Sequence, residues 1–380
     1  MTESLPLIKL FCSIFFIFLS IVCFSQYTEA EVIDVIQSYQ VEDDEFYDPG
    51  LFPVKRKWSF SSNYVDDNSI FFTASINSTL RMLNDKLDDR SRKIVASILK
   101  ETNPVYGKYR NRNGGITYNF WQTVSPDLPF PNGNKLISNK KSRLPDDFDT
   151  TVLIALSRGK NKRYDSLLRK QMVAYSSRTD RANVKLITPD EYLNSKAYET
   201  WFGKNMPQTF DLCIMSNVLL YVIERGFEWN EYDEATASLI KEMVLNNDHL
   251  ERTANISHHS DSPALVLYHI ARLIAADTNN RFDSIKEKVQ NDLVDLLNER
   301  NNEVEKVMIL SSLYRLGYDT NETIDLKRWQ KQMRSFSFFS INPFNISKGR
   351  SRYIPSIAWV SEPYNWTLLL ELMVLQKQQG

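Results

Sequence analysis

Residues 210–226 read FDLCIMSNVLLYVIERG. Asp211 can cap a helix, and from Leu212 to Ile223 apolar side chains face almost all round it, so the helix should be buried on every side. Gly226 closes it in the manner of a helix C-cap. The stretch that follows sets Ala235, Leu239 and Met243 on one face and Glu234, Lys241 and Glu242 elsewhere, the mark of an outer helix with one buried face. A wholly buried helix followed by a half-buried one implies two layers.

The same alternation recurs along the chain. Ser262-Pro263 opens ALVLYHIARLIA, with proline in the first turn where its missing N–H does no harm. Phe282, Ile285, Val289, Leu293 and Leu296 then form a one-sided stripe. Further inner helices are predicted over 304–316, ended by Gly317, and over 365–376 after Ser361-Glu362-Pro363. Upstream, 70–83 follows Asp66-Asp67, and 150–156 follows Asp146-Asp147-Phe148-Asp149 and stops before Gly159. Inner helices are thus expected to start near 68, 149, 211, 262, 303 and 364. Five or six such hairpins closing on themselves give an all-α chain, an α/α toroid over residues 65–380; an open solenoid would need polar end caps and a steadier period.

Composition agrees. The 380 residues carry only 11 Gly and 14 Pro, few turn formers for their number, which favours helix. With 46 Lys+Arg against 47 Asp+Glu there is no global basic field, and nucleic acid is not an expected partner. Residues 10–24, LFCSIFFIFLSIVCF, follow Lys9 and are too short for a comfortable membrane span. They read as a signal peptide over 1–25 that exports the protein, periplasmic or extracellular; an uncleaved anchor is the alternative. Residues 26–64 are acidic and interrupted by Pro49 and Pro53, and read as an irregular segment. Cys213 is then the one cysteine of the processed chain, so no internal disulfide is expected.

Several inner helices begin with acids: Asp66 and Asp67, Asp147 and Asp149, Asp211, Asp261 and Glu362. Each alone is explained by N-capping. Parallel inner helices would gather them round one mouth, where like charges raise one another's pKa. Aromatic residues lie in the long connections or just before inner helices: Tyr118, Phe120 and Trp121, Tyr198, Trp201 and Phe202, Trp359, Tyr364 and Trp366. Arg110 and Arg112, Lys140, Lys141 and Arg143, and Arg350 and Arg352 are basic clusters that could grip an anion or simply face solvent.

Asp147-Phe148-Asp149-Thr150-Thr151 resembles the D-x-D-T-T variant of the aspartate motif of class II terpene cyclases, such as squalene-hopene cyclase, which share an α/α toroid. The pentapeptide carries the likeness in sequence; Thr150 stands where the commoner form has a third acid. The resemblance implies an isoprenoid or other lipid substrate, with Asp149 as the general acid that protonates an alkene and Asp147 and Thr150 supporting its proton. Aromatic faces at Tyr118, Trp121, Trp201, Phe202 and Trp359 would stabilise the resulting carbocation. Asp211, His258 and His259 are expected at the same mouth. Asp211-Leu212-Cys213 with His258 and His259 also resembles the zinc site of protein prenyltransferase β subunits, likewise toroids. Within so apolar a helix Cys213 reads as a small buried hydrophobe, so no metal or cofactor is expected. No DDxxD magnesium motif occurs in the sequence.

Two other readings stay open. A secreted glycan-active α/α barrel, lyase or glycosidase, would use carboxylates and arginines on an anionic glycan. A non-catalytic scaffold would use the acids as helix caps alone. A lipid ligand also admits transient or peripheral membrane contact, and the sequence is silent on oligomeric state.

Overall fold

The computed structural model describes residues 27–124, 145–176, 188–203, 206, 208–260, 262–341 and 356–378. The leader over 1–25, Lys140, Lys141, Arg143, Asp261, Arg350 and Arg352 lie outside these residues. The chain is mostly helical. In order it runs α1 (Glu29–Ser38), β1 (Val54–Trp58), β2 (Val65–Asp67), α2 (Phe71–Leu83), α3 (Asp89–Thr102), α4 (Phe148–Ser157), α5 (Lys162–Ser176), α6 (Leu212–Arg225) and α7 (Glu231–Leu245). It continues through the short α8 (Asp248–Glu251) and α9 (Thr253–Ile256) to α10 (Pro263–Ala276), α11 (Asp283–Glu299), α12 (Glu303–Arg315), α13 (Leu326–Gln332), β3 (Phe339–Ile341), β4 (Ile357–Val360) and α14 (Glu362–Lys377). Among the described residues no helix is long and apolar enough to cross a membrane.

The two helix classes read from the sequence are present. Every residue of α4 is buried, as are Leu212 to Val222 of α6 and Pro263 to Ile274 of α10. By contrast α3, α5 and α11 each bury a single stripe, such as Ile285, Val289, Asp292, Leu293 and Leu296 of α11. The buried helices pack α2 on α4, α4 on α6, α6 on α10, α10 on α12 and α12 on α14, and α14 packs back on α2. Of the half-buried helices, α3 packs on α2 and α11 on α10 and α12, while α1 packs on α14 and α3.

Starts are set by side-chain caps. Asp147, Asp211, Ser262, Asn302 and Ser361 each accept a backbone N–H from the first turn of the helix they precede, satisfying groups that would otherwise be buried unpaired. The first turns of α4, α6, α10 and α14 border one cavity. Arg225, Arg272, Arg315 and Leu375, from the far ends of α6, α10, α12 and α14, border a recess elsewhere. The buried helices therefore run in one direction.

A small antiparallel sheet, ordered β2-β1-β4-β3, ties the two ends of the chain together: Arg56 of β1 pairs with Trp359 of β4, which pairs with Phe339 of β3. The stretch 26–64, expected to be irregular, thus contains both α1 and β1. Helix α1 has a capping box, Thr28 with Glu31, and buries Val32, Ile33 and Ile36. Strand β1 pairs on one side with the nearby β2 and on the other with β4, some three hundred residues away, which no local pattern announces.

Candidate active site

A cavity with a free volume of about 80 Å³, room for several water molecules, lies at the first turns of the buried helices. Its walls are aromatic: Phe71 from α2, Phe120 and Trp121 from the connection before α4, Trp201, Phe339 from β3 and Tyr364 from α14. The sheet fixes part of this wall. Arg56 meets Asp67 at 2.8 Å across β1 and β2, and Asp67 accepts the indole N–H of Trp121 at 3.2 Å. Phe339 stacks on Phe120 with ring centres 5.4 Å apart.

Three carboxyl groups face the same space. Asp147 caps α4 and accepts the Thr150 amide at 2.6 Å on Oδ1. Burial pushes its pKa up to about 8; the Thr150 amide opposes the shift and the neighbouring Asp149 adds to it. Asp211 caps α6, with Oδ1 accepting the amides of Cys213 and Ile214 at 2.9 and 3.3 Å. Burial raises it to about 6 against those two amides. Asp149, one residue into α4 and 8% exposed, is raised to about 7 by burial, with Asp211 adding and a hydrogen bond from Asn217 opposing.

That bond comes from mid-helix. Asn217 of α6 donates from Nδ2 to Asp149 Oδ1 at 2.8 Å, and its Oδ1 lies 3.1 Å from His269 Nδ1 on α10. With Nδ2 spent on the carboxyl, Oδ1 is the acceptor, so His269 carries its proton on Nδ1. Burial, assisted by Arg272, lowers His269 to about 3, so the ring is neutral. His269 borders the cavity as well.

Of the residues singled out in the sequence, Asp147, Asp149, Thr150, Asp211, His259, Trp121 and Trp201 border this one cavity. Other candidates stand elsewhere. Tyr118 is buried and bonds Arg158, away from the cavity. Phe202 stacks on Phe148 at 3.8 Å, behind the wall. Trp359 is fully buried and supports Phe339 edge-on at 5.1 Å. His258 lies 3.1 Å from the Thr188 hydroxyl and does not border the cavity. Arg110 and Arg112 are exposed, with Arg110 bonded to the Gly115 carbonyl at 2.7 Å. No Lys or Arg borders the cavity among the described residues.

Asn217, not foreseen as a site residue, supplies the hydrogen bond to Asp149, and His269, likewise not foreseen, bonds Asn217 in turn. Their signal was present in the sequence: a lone Asn and a lone His inside otherwise apolar helices, six residues after Asp211 and Pro263 respectively. Cys213 lies with Sγ 3.4 Å from the Ser257 hydroxyl, and burial holds its thiol well above its ordinary pKa. Among the described residues no three His, Cys, Asp or Glu side chains converge as metal ligands would.

Chemically, the arrangement offers a carboxyl whose pKa lies near neutrality, in a small cavity whose wall mixes aromatic rings with polar side chains such as Thr200, Ser257 and Ser260, and with one amide donor ready for the carboxylate it would leave. Compared with known proteins, the chain matches no family model and no curated sequence.

Proposed function

We propose that the chain is an α/α toroid whose cavity binds an isoprenoid or other alkene-bearing lipid, with Asp149 protonating a double bond, in the manner of class II terpene cyclases. The order of packing supports the toroid: each buried helix touches the next and α14 touches α2. The observation that carries the chemistry is Asp149 itself, buried, held neutral to about pH 7, and set among Phe71, Phe120, Trp121, Trp201, Phe339 and Tyr364. An alkene has no basic atom, so its protonation needs a positioned acid and a site where the developing cation meets π faces instead of nucleophilic water. The carboxylate that forms is stabilised by Asn217 Nδ2 and by the cation beside it.

Asp147 has a different part in this reading. Its own raised pKa keeps a second negative charge from forming beside Asp149 once Asp149 has given up its proton. The free volume suits the branched end of a prenyl chain rather than a whole polyprenyl chain. We infer that the protein is exported, on the leader over residues 1–25. Native mass spectrometry of the protein purified from its exported fraction, followed by lipid extraction, tests the ligand class. The expected result is a bound isoprenoid that is lost from a Trp201→Ala variant; a protein bare of lipid in every preparation would contradict it.

A further inference from the structure

Asp147 and Asp211 share a feature that alkene protonation does not use. Asp147 spends Oδ1 on the Thr150 amide, and Asp211 spends Oδ1 on two amides and the Ser257 hydroxyl at 3.3 Å, while the Oδ2 of each is buried and receives no hydrogen bond of good geometry among the described residues, with the Thr150 side chain and the His258 backbone beside them. Both residues are at least nine-tenths buried and both border the cavity. A buried carboxyl oxygen with no donor is expensive, and native proteins rarely leave one without something to meet it. Asp149 borders the same cavity, so three carboxyls line one small space together with the rings of Phe71, Phe120, Trp121, Trp201, Phe338, Phe339 and Tyr364.

We infer that this cavity is a binding site for a small organic ammonium ion, an alkyl- or trimethylammonium group, held between the carboxyls of Asp147, Asp149 and Asp211 and the aromatic rings of Trp201 and Trp121 that border the cavity. Diffuse cations are weakly hydrated and gain most from aromatic faces. A metal ion asks instead for several ligand atoms at short range, which these side chains do not converge to give. The free volume of about 80 Å³ is also on the scale of such a headgroup. The inference needs no reaction, so it stands or falls apart from the proposed protonation.

Binding has a proton signature. The groups facing the cavity are Asp147 and Asp149 from α4, Asp211 and Cys213 from α6, His259 from the connection before α10, His269 from α10 with Arg272 behind it, and Tyr364 from α14. The cation favours the ionised carboxyls, so its arrival expels protons to the buffer, and affinity rises as pH climbs from 6 to 8, the range over which the carboxyls ionise. His269, already neutral in that range, adds no opposing charge.

Titration calorimetry of the full chain with tetramethylammonium chloride, against sodium chloride at equal ionic strength, tests this. The expected result is saturable binding at pH 8, weaker at pH 6, with heats that vary with the buffer's ionisation enthalpy. Asp211→Asn and Trp201→Ala should each weaken binding about tenfold or more. Should either variant fold poorly, the wild-type melting temperature gives a second reading: tetramethylammonium should raise it and sodium should not. No saturable heat and no melting shift at pH 8 would overturn the site, whether or not the protein protonates alkenes. Binding unaffected by both substitutions would place the cation elsewhere and overturn it equally.

Discussion

Asn217 joins the middle of α6 to the first turn of α4 through a single 2.8 Å bond to Asp149. The bond takes the place of water for a carboxyl that is almost wholly withdrawn from it, and the other end of the same amide fixes the His269 ring. Asn217→Ala would strand both groups, and leaving buried polar partners unsatisfied costs about 1–3 kcal/mol. Urea denaturation should show that loss, and Asp149 should become harder to ionise.

Stability should depend on pH in an unusual direction. Asp147, Asp149 and Asp211 have folded pKa values of about 8, 7 and 6, all above their ordinary value of 3.8. The unfolded chain therefore loses these protons first as pH rises, and the contribution that is whole below about pH 4 drains away up to about pH 8. Melting temperature should fall between pH 5 and pH 8. Asp147→Asn, which resembles the neutral acid, should flatten that slope and melt higher than the wild type at pH 8.

Arg56 and Asp67 form a buried pair at the root of the sheet. Removing one partner leaves the other charge without compensation, and Arg56→Ala should cost about 3–5 kcal/mol. Because Asp67 also holds Trp121, the same variant should change the near-ultraviolet circular dichroism of the cavity wall.

Gly50 sits at φ +90° with the Glu101 carbonyl oxygen 2.3 Å from where a Cβ would be. Gly50→Ala meets both a disfavoured backbone and a rigid backbone atom, and should lose more than about 2 kcal/mol in chemical denaturation. Gly226→Ala, also at positive φ but with open space around it, should lose less.

Much of the helical plan could be read in advance because α4, α6 and α10 are apolar nearly all round and begin at an Asp or Ser cap. The starts expected near 149, 211, 262, 303 and 364 fall within two residues of the observed ones, since Asp, Ser and Asn caps set them locally. The sheet could not be read, because β1 and β4 meet from opposite ends of the chain. The acids Asp147, Asp149 and Asp211 were legible because helix starts in one direction must gather. Asn217 and His269 were missed because a polar residue inside an apolar helix reveals its importance only when its partner on the next helix is known. Aromatic residues near helix starts divided between cavity wall and packing, Trp201 in the first and Trp359 in the second, a difference that depends on side-chain direction and not on position in the sequence.

The central claim is that Asp149 delivers a proton to carbon, and deuterium reports this directly. The purified protein is incubated in D₂O with an isoprenoid alkene, squalene or geranylgeraniol, and the extracted lipid is weighed by mass spectrometry. Protonation by Asp149 predicts a carbon-bound deuterium in the product of the wild type and none from Asp149→Asn. Recovery of unlabelled, unchanged alkene from the folded wild type, or equal labelling by the variant, would contradict it.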